Sequence, residues 1–253
     1  MFRAVIPARY ASTRLPGKPL AELAGRPMIQ HVHERVAASG AAEVIVATDD
    51  RRVAEACAAF GAEVQMTSPA HASGTDRLAE VAARRGWSGG EVVVNVQGDE
   101  PLLPSSLVRQ VAALLSADPG ADLATLGTPI RSIEEFLDPA VVKVVRRADA
   151  RALYFSRAPI PWHRDDAPVG LSSQRNFAGA WRHLGLYAYR VAALQRLAAS
   201  PPSPTEQAEK LEQLRALHLG MAITLGEALE RPGPGVDTPE DLERVRALLG
   251  DGR

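Results

Sequence analysis

One cysteine, Cys57, occurs in 253 residues. A single thiol excludes an internal disulfide and any zinc cage built on cysteines. Across 51–61, Val53, Ala56, Cys57 and Phe60 share one helical face and Gly61 supplies the stop, so Cys57 reads as a small buried hydrophobe rather than a nucleophile. An excess of one charge is also missing. With 29 basic and 30 acidic residues the net charge is -1, which excludes the broad cationic face that a nucleic-acid partner requires. No apolar run approaches the roughly 18 residues that cross a bilayer, and no leader-like segment precedes the first strand. These absences predict a soluble cytoplasmic protein without a membrane partner. The histidines show no zinc spacing: His31 and His33 are two apart, and no H-E-x-x-H occurs.

What is present is a core-forming chain, 46% hydrophobic, with length enough for one large or two intimately joined α/β domains. Short β-rich runs at 4–6, 43–47, 63–66, 92–96 and 123–126 alternate with helical patterns at 27–39, 51–60, 76–85 and 105–115. That alternation predicts an α/β fold with a mostly parallel central sheet flanked by helices. Pro27 suits a first helical turn and Gly40 a stop. Past 129 the rhythm changes to strand patterns at 141–145 and 184–189 around a proline-punctuated segment, predicting a smaller mixed-sheet or lid extension. Ser203-Pro204-Thr205-Glu206 is a capping box opening a helix that runs to about 219. A strand at 222–225 and a helix at 239–249 close the chain. Without repeats or low-complexity linkers the reading is one domain, 1–253, softly divided into a part formed by 1–129 with 222–253 and a part formed by 130–221.

The densest chemical signal lies in the first turn of this pattern. Arg3, Arg9, Arg14 and Lys18 all precede the first acid, Glu22, in a chain that is otherwise balanced. Arg9, Arg14 and Lys18 directly follow a strand, in the ligand position of open α/β sheets, and Ser12, Thr13 and Gly17 let backbone amides approach an anion. Such a loop suits a polyphosphate. It is neither the G-x-G-x-x-G fingerprint nor the G-x-x-x-x-G-K-[ST] phosphate loop.

Asp99 closes the apolar run 92–98, where a carboxylate suits a hard divalent ion bridging phosphates. Glu100 has the same chemistry but is expected to face away. A second metal acid is expected at Asp237: Thr238 takes the cap position, Pro239 the first helical position and Asp241 the box, which leaves Asp237 over. Ser73-Gly74-Thr75-Asp76-Arg77 opens a helix whose hydroxyls, amides and arginine suit a base or a phosphate. Arg157, His183, Tyr187, Glu212 and Gln213 are polar residues set inside apolar or helical patterns.

Taken together, IPARYASTRLPGKPL from Ile6, ATDD from Ala47, SGTDR from Ser73, VNVQGDEP from Val94, YFSRAPIPW from Tyr154, RHLGLYAYR from Arg182, LEQLR from Leu211 and GVDTPEDLERVR from Gly235 resemble the 3-deoxy-manno-octulosonate (Kdo) cytidylyltransferases over nearly the whole chain. The resemblance implies a Rossmann-like nucleotidyltransferase fold, a magnesium (Mg2+) requirement, a homodimer, and activation of Kdo with CTP for lipopolysaccharide. By position it implies CTP contacts from Arg9, Ser12, Arg14, Lys18, Ser73 and Gln97, with Arg77 also a candidate. It implies magnesium on Asp99 and Asp237, which with Lys18 and Arg9 form the catalytic set, and a sugar-acid pocket of Arg157, His183, Tyr187, Glu212 and Gln213. The sequence departs from the family around 168–181, as a variable lid loop would.

Overall fold

The apolar runs of the first half become strands because β-branched side chains fit a pleated surface covered on both faces. A computed structural model describes residues 1–11 and 14–250. Its first half comprises β1 (Arg3–Pro7), a hairpin of β2 (Glu22–Leu23) and β3 (Arg26–Pro27), α1 (Met28–Ala37), β4 (Val44–Thr48), α2 (Arg51–Ala59), β5 (Glu63–Met66), α3 (Gly74–Arg84), β6 (Val92–Asn95), α4 (Ser105–Ala117) and β7 (Leu123–Pro129). Strands β5, β4, β1 and β6 lie side by side and parallel.

The second half comprises α5 (Ile133–Leu137), β8 (Lys143–Arg146), β9 (Ala152–Ser156), β10 (Trp181–Arg190), α6 (Val191–Ala198), α7 (Pro204–Glu209), α8 (Gln213–His218), β11 (Ile223–Glu227) and α9 (Pro239–Leu249). β10 enters the main sheet antiparallel to both β6 and β7, and β11 pairs parallel beyond β7. The sheet therefore runs β11-β7-β10-β6-β1-β4-β5, with β8 and β9 branching from the outer half of β10. This is the expected α/β architecture with its mixed extension. Its central antiparallel strand comes from within 130–221.

Three sequence expectations need correction. Pro27 is not in the first turn of α1: it is the extended residue before the helix and ends the β3 arm of a hairpin that the pattern did not announce. The helix expected from Ser203 to about 219 does form its capping box, but Lys210 adopts the left-handed conformation (φ 54) and splits it into α7 and α8. Strand β9 was hidden by its mixed composition, Ala-Leu-Tyr-Phe-Ser, whose outward residues Leu153 and Tyr154 stay exposed.

The core fills both faces of the sheet. Cys57 belongs to it, fully buried, and burial pushes its thiol up to about 11, which keeps it protonated and inert. A smaller cluster of Leu23, Met28, Val236, Leu242 and Val245 packs with Leu15 and Leu102 beneath the carboxyl end of the sheet. No helix among the described residues is long and apolar enough to cross a membrane.

Candidate active site

Parallel pairing of β1 with β6, with Val5 opposite Asn95, delivers Ala8–Arg9 and Gln97–Asp99 side by side at the carboxyl ends of their strands. The two turns nearly touch. A Cβ at Gly98 would lie 2.8 Å from the Pro7 carbonyl oxygen, so only glycine fits this crossing. Gly17, at φ 71, turns the amino-terminal loop back and donates to the Tyr10 carbonyl at 3.1 Å, which aims Lys18 across the strand ends.

Lys18 Nζ donates to Asp99 Oδ2 at 2.5 Å and to Asp237 Oδ1 at 3.1 Å, and an Arg14 Nη lies 3.2 Å from the same Asp237 oxygen. Burial works to lower the Lys18 pKa, but Asp99 and then Asp237 outweigh it, so the ammonium titrates above its ordinary value and stays charged. Asp237 is free for this role because α9 is capped as expected. Thr238 accepts from the Asp241 amide, and Asp241 accepts from the Thr238 and Asp237 amides.

Arg9, Arg14, Lys18, Gln97, Asp99 and Asp237 surround a cavity of about 280 Å³. Ser12 lies outside the described residues. Arg9 donates to the Ala72 carbonyl at 2.7 Å, which draws the start of α3 to the cavity rim. There Ser73 is a true helix cap, in a reciprocal box with Asp76. Arg77 goes elsewhere: it is wholly buried, 3.3 Å from Asp49 Oδ2 and bonded to Thr67 Oγ1, and lines no part of this cavity.

The donor set fits a hard divalent ion. Two carboxylates converge on one cation at the edge of a cavity open to phosphate oxygens and water, which is how magnesium is commonly held. Among the described residues no cluster of three or more His, Cys, Asp or Glu side chains could cage a metal alone, so an ion held here would take its remaining ligands from substrate and water.

A second cavity, about 480 Å³, shares Gln97 and Asp237 with the first and is walled by His183, Tyr187, Glu212 and Gln213. An irregularity in β10 between Leu184 and Tyr187 opens the strand here. Thr125 Oγ1 donates its hydrogen bond to the Leu186 carbonyl at 2.8 Å, so at 3.0 Å His183 Nε2 is the donor to that hydroxyl and Nδ1 is left as an acceptor. Burial lowers the imidazole pKa to about 3, consistent with this neutral tautomer. Burial also raises the Glu212 carboxyl, against the bond it accepts from Thr75 Oγ1 at 2.7 Å. The break at Lys210 is what turns Glu212 and Gln213 inward at the start of α8.

Arg157 is not brought to this cavity. Its Nε donates to the Glu209 carbonyl at 2.8 Å and an Nη to the Pro139 carbonyl at 3.0 Å. The cation that lines the cavity is Arg182, which sequence reasoning passed over because a strand residue next to an inward His183 is expected on the opposite face. Its side chain also lines an adjoining cavity of about 380 Å³. Glu100, expected to face away, lines both cavities too. Burial, reinforced by Asp99 and Asp237 and opposed by Arg182, pushes its carboxyl up to about 7. Asn95 was also missed: it is buried with Oδ1 lacking a well-aligned partner, and a lone polar residue ending Val92-Val93-Val94 was the available signal.

Comparison with known proteins is consistent along the whole chain. A family model described as cytidylyltransferase matches residues 3–223. The chain is 55% identical over 249 residues to a 3-deoxy-manno-octulosonate cytidylyltransferase of Halorhodospira halophila, covering 98% of this chain and 96% of that one. It is 56% identical to the enzyme of the same name from Alkalilimnicola ehrlichii, covering 99% and 96%. Among solved structures, a CMP:2-keto-3-deoxy-manno-octonic acid synthetase complexed with CTP superimposes with a TM-score of 0.88 at 46% identity, covering 99% of both chains. A nucleotidyl transferase from Methanothermobacter thermautotrophicus, 16% identical with a TM-score of 0.60 and covering 100% of this chain and 99% of that one, shares the fold.

Proposed function

Because this chain belongs to the 3-deoxy-manno-octulosonate cytidylyltransferase family, we propose that its two joined cavities bring CTP and Kdo together and release CMP-Kdo and diphosphate. The observation that carries this reading is the junction itself: Asp237 and Gln97 face both spaces, so a triphosphate in the cationic cavity and a sugar acid in the polar one would meet beside Asp99. The attacking group is the sugar's anomeric hydroxyl. Its oxygen forms a bond to the α-phosphorus of CTP, the bond from that phosphorus to the bridging oxygen breaks, the hydroxyl proton passes to solvent water, and diphosphate departs.

Arg9, Arg14 and Lys18 present charge-assisted donors to the β- and γ-phosphates, where negative charge accumulates as diphosphate leaves. Asp99 and Asp237 would hold magnesium, which when bound neutralises phosphate oxygens and draws the two anionic substrates together. Holding both reactants in line is itself worth on the order of 7–11 kcal/mol. His183 offers an acceptor nitrogen to a sugar hydroxyl, and Glu212 and Gln213 complete a polar wall. Arg182, rather than the carbonyl-bound Arg157, supplies the charge that faces the sugar carboxylate in this geometry.

A cytoplasmic homodimer serving lipopolysaccharide synthesis completes the proposal. The dimer is supported by β9, which among the described residues pairs with β8 alone and exposes Leu153 and Tyr154. The experiment is a diphosphate-release assay that crosses four nucleoside triphosphates with Kdo, its 8-amino analogue and sialic acid. CTP with Kdo should turn over fastest; a preference for sialic acid, or no diphosphate with any pair, would overturn the reading.

A further inference from the structure

Asp237 reaches the site at the end of a strap, residues 231–236, that descends from β11 toward α9. Gly233 in this strap is not needed for a turn, because its φ lies outside the left-handed region. It is needed for closeness. A Cβ there would stand 2.6 Å from Leu102 Cβ and 3.0 Å from Leu102 Cδ1, and the first of these atoms is fixed to the backbone and cannot swing aside. Leu102 lies in the turn that directly follows the one holding Asp99: the Glu100 amide donates to the Gln97 carbonyl at 3.3 Å and closes the first, and the Leu103 amide donates to the Glu100 carbonyl at 3.1 Å and closes the second. Farther along, the Val236 amide donates to the Asp99 carbonyl at 2.9 Å, and the Val236 side chain, 1% exposed, packs in the small cluster with Leu102, Leu242, Val245 and Leu15.

We infer that Gly233 is a positioning residue: its missing side chain lets the strap seat on Leu102, and that seat fixes the distance between the Asp237 and Asp99 carboxylates. Two features of the seat act on one object. The glycine contact sets the depth of the strap, and the Val236 hydrogen bond sets its register along the Asp99 turn. The same cluster includes Leu15, so the loop that carries Lys18 rests on the same base. A methyl group at 233 must lift the strap or push the turn, and either motion changes the gap between two acids that share a cation. The inference rests on the reading of these acids as the metal pair.

The test uses the full-length chain with Gly233→Ala, Val236→Ala and Asp237→Asn. Manganese binding in the presence of CTP is followed by electron paramagnetic resonance, beside turnover against metal concentration and a thermal midpoint. Gly233→Ala should weaken manganese binding about tenfold and raise the half-saturating metal concentration in proportion, with much of the turnover regained at high metal. A merely structural role would instead reduce the active fraction without moving the metal titration. Should Gly233→Ala not fold, Val236→Ala loosens the same seat without a clash and should shift the titration in the same direction by a smaller factor. Unaltered manganese binding in the folded variants, with Asp237→Asn abolishing it, overturns the inference alone. Unaltered binding in Asp237→Asn as well overturns the metal-pair reading and the inference with it.

Discussion

Lys18 Nζ stands 2.5 Å from Asp99 Oδ2 and 3.1 Å from Asp237 Oδ1, so a carboxylate from mid-chain and one from near the carboxyl terminus meet on one ammonium. The ion pairs are partly open to water, Lys18 being 14% and Asp237 52% exposed. They organise the site more than they stabilise the fold.

Asp99→Asn is accordingly expected to lower turnover by a factor of about 100 or more, on the scale of losing one electrostatic contact in a transition state. The thermal midpoint should stay within a few degrees. Steady-state kinetics at saturating magnesium, beside a melting curve, check both halves; unchanged turnover removes Asp99 from the site.

Chelation supplies a test that needs no substitution. On the proposed reading Asp99 and Asp237 hold the metal with no third ligand among the described residues, and substrate oxygens would complete its shell. EDTA should abolish diphosphate release, and excess magnesium should restore it. Magnesium affinity measured by calorimetry should be markedly tighter with CTP than without it, and equal affinity in both conditions would contradict this division of ligands.

Arg182→Ala should raise the KM for Kdo about tenfold while changing the KM for CTP little, the loss of one charge-assisted contact. Arg157→Lys should do less, because the wild-type guanidinium already serves the Glu209 and Pro139 carbonyls. Paired kinetics on the two variants decide the matter, and a larger sugar effect from Arg157→Lys would return the carboxylate contact to that residue.

Arg77→Ala should act through stability. Wholly buried and paired with Asp49 and Thr67, Arg77 cannot be removed without leaving polar partners stranded, at a cost of about 3 kcal/mol or more. In a chain of this size that lowers the midpoint by about 6–12 °C. A variant that melts normally but binds CTP poorly in calorimetry would return Arg77 to the nucleotide site.

His183 sets a pH dependence whose sign is fixed. Its folded pKa is about 3, below the ordinary value of 6.5, so the unfolded chain takes up the proton first as pH falls. The stability linked to the neutral ring is complete above about pH 6.5 and is lost as pH falls from there toward 3. Because the ring keeps some exposure to the cavity, the loss by pH 5 should be about 1–2 kcal/mol. Urea unfolding of wild type and His183→Gln between pH 7.5 and 5 should show the wild type losing more; parallel curves would mean that the ring protonates readily in the folded chain.

The parts of the site that were legible in the sequence were those where local rules leave a residue without another task. Thr238, Pro239 and Asp241 satisfy the start of α9 by themselves, so Asp237 stood out; Asp99 stood out as an acid ending a buried strand. Depth and direction were not legible in the same way. Arg77 sits on the correct helix but on its inner face, and the identity of a helix says nothing about which turn is covered by β5 and its following loop. The direction of Glu100 was not legible either, because β6 ends at Asn95 and strand alternation does not carry through the turns that follow. In the fold, apolar runs revealed the parallel half, whereas β9 and the break at Lys210 depend on pairing and backbone conformation that composition does not encode.

The reversal at β10 has a consequence for synthesis on the ribosome. Until residue 190 has emerged, β7 has no neighbour through which to join the parallel strands, and the outer edge of β6, nearly all valine, stays open. A nascent chain stalled between these points would carry an unpaired apolar edge of the kind that recruits other chains. Slow translation through this interval would therefore leave the polypeptide dependent on chaperones, and arrest there should yield aggregates that arrest beyond residue 190 does not.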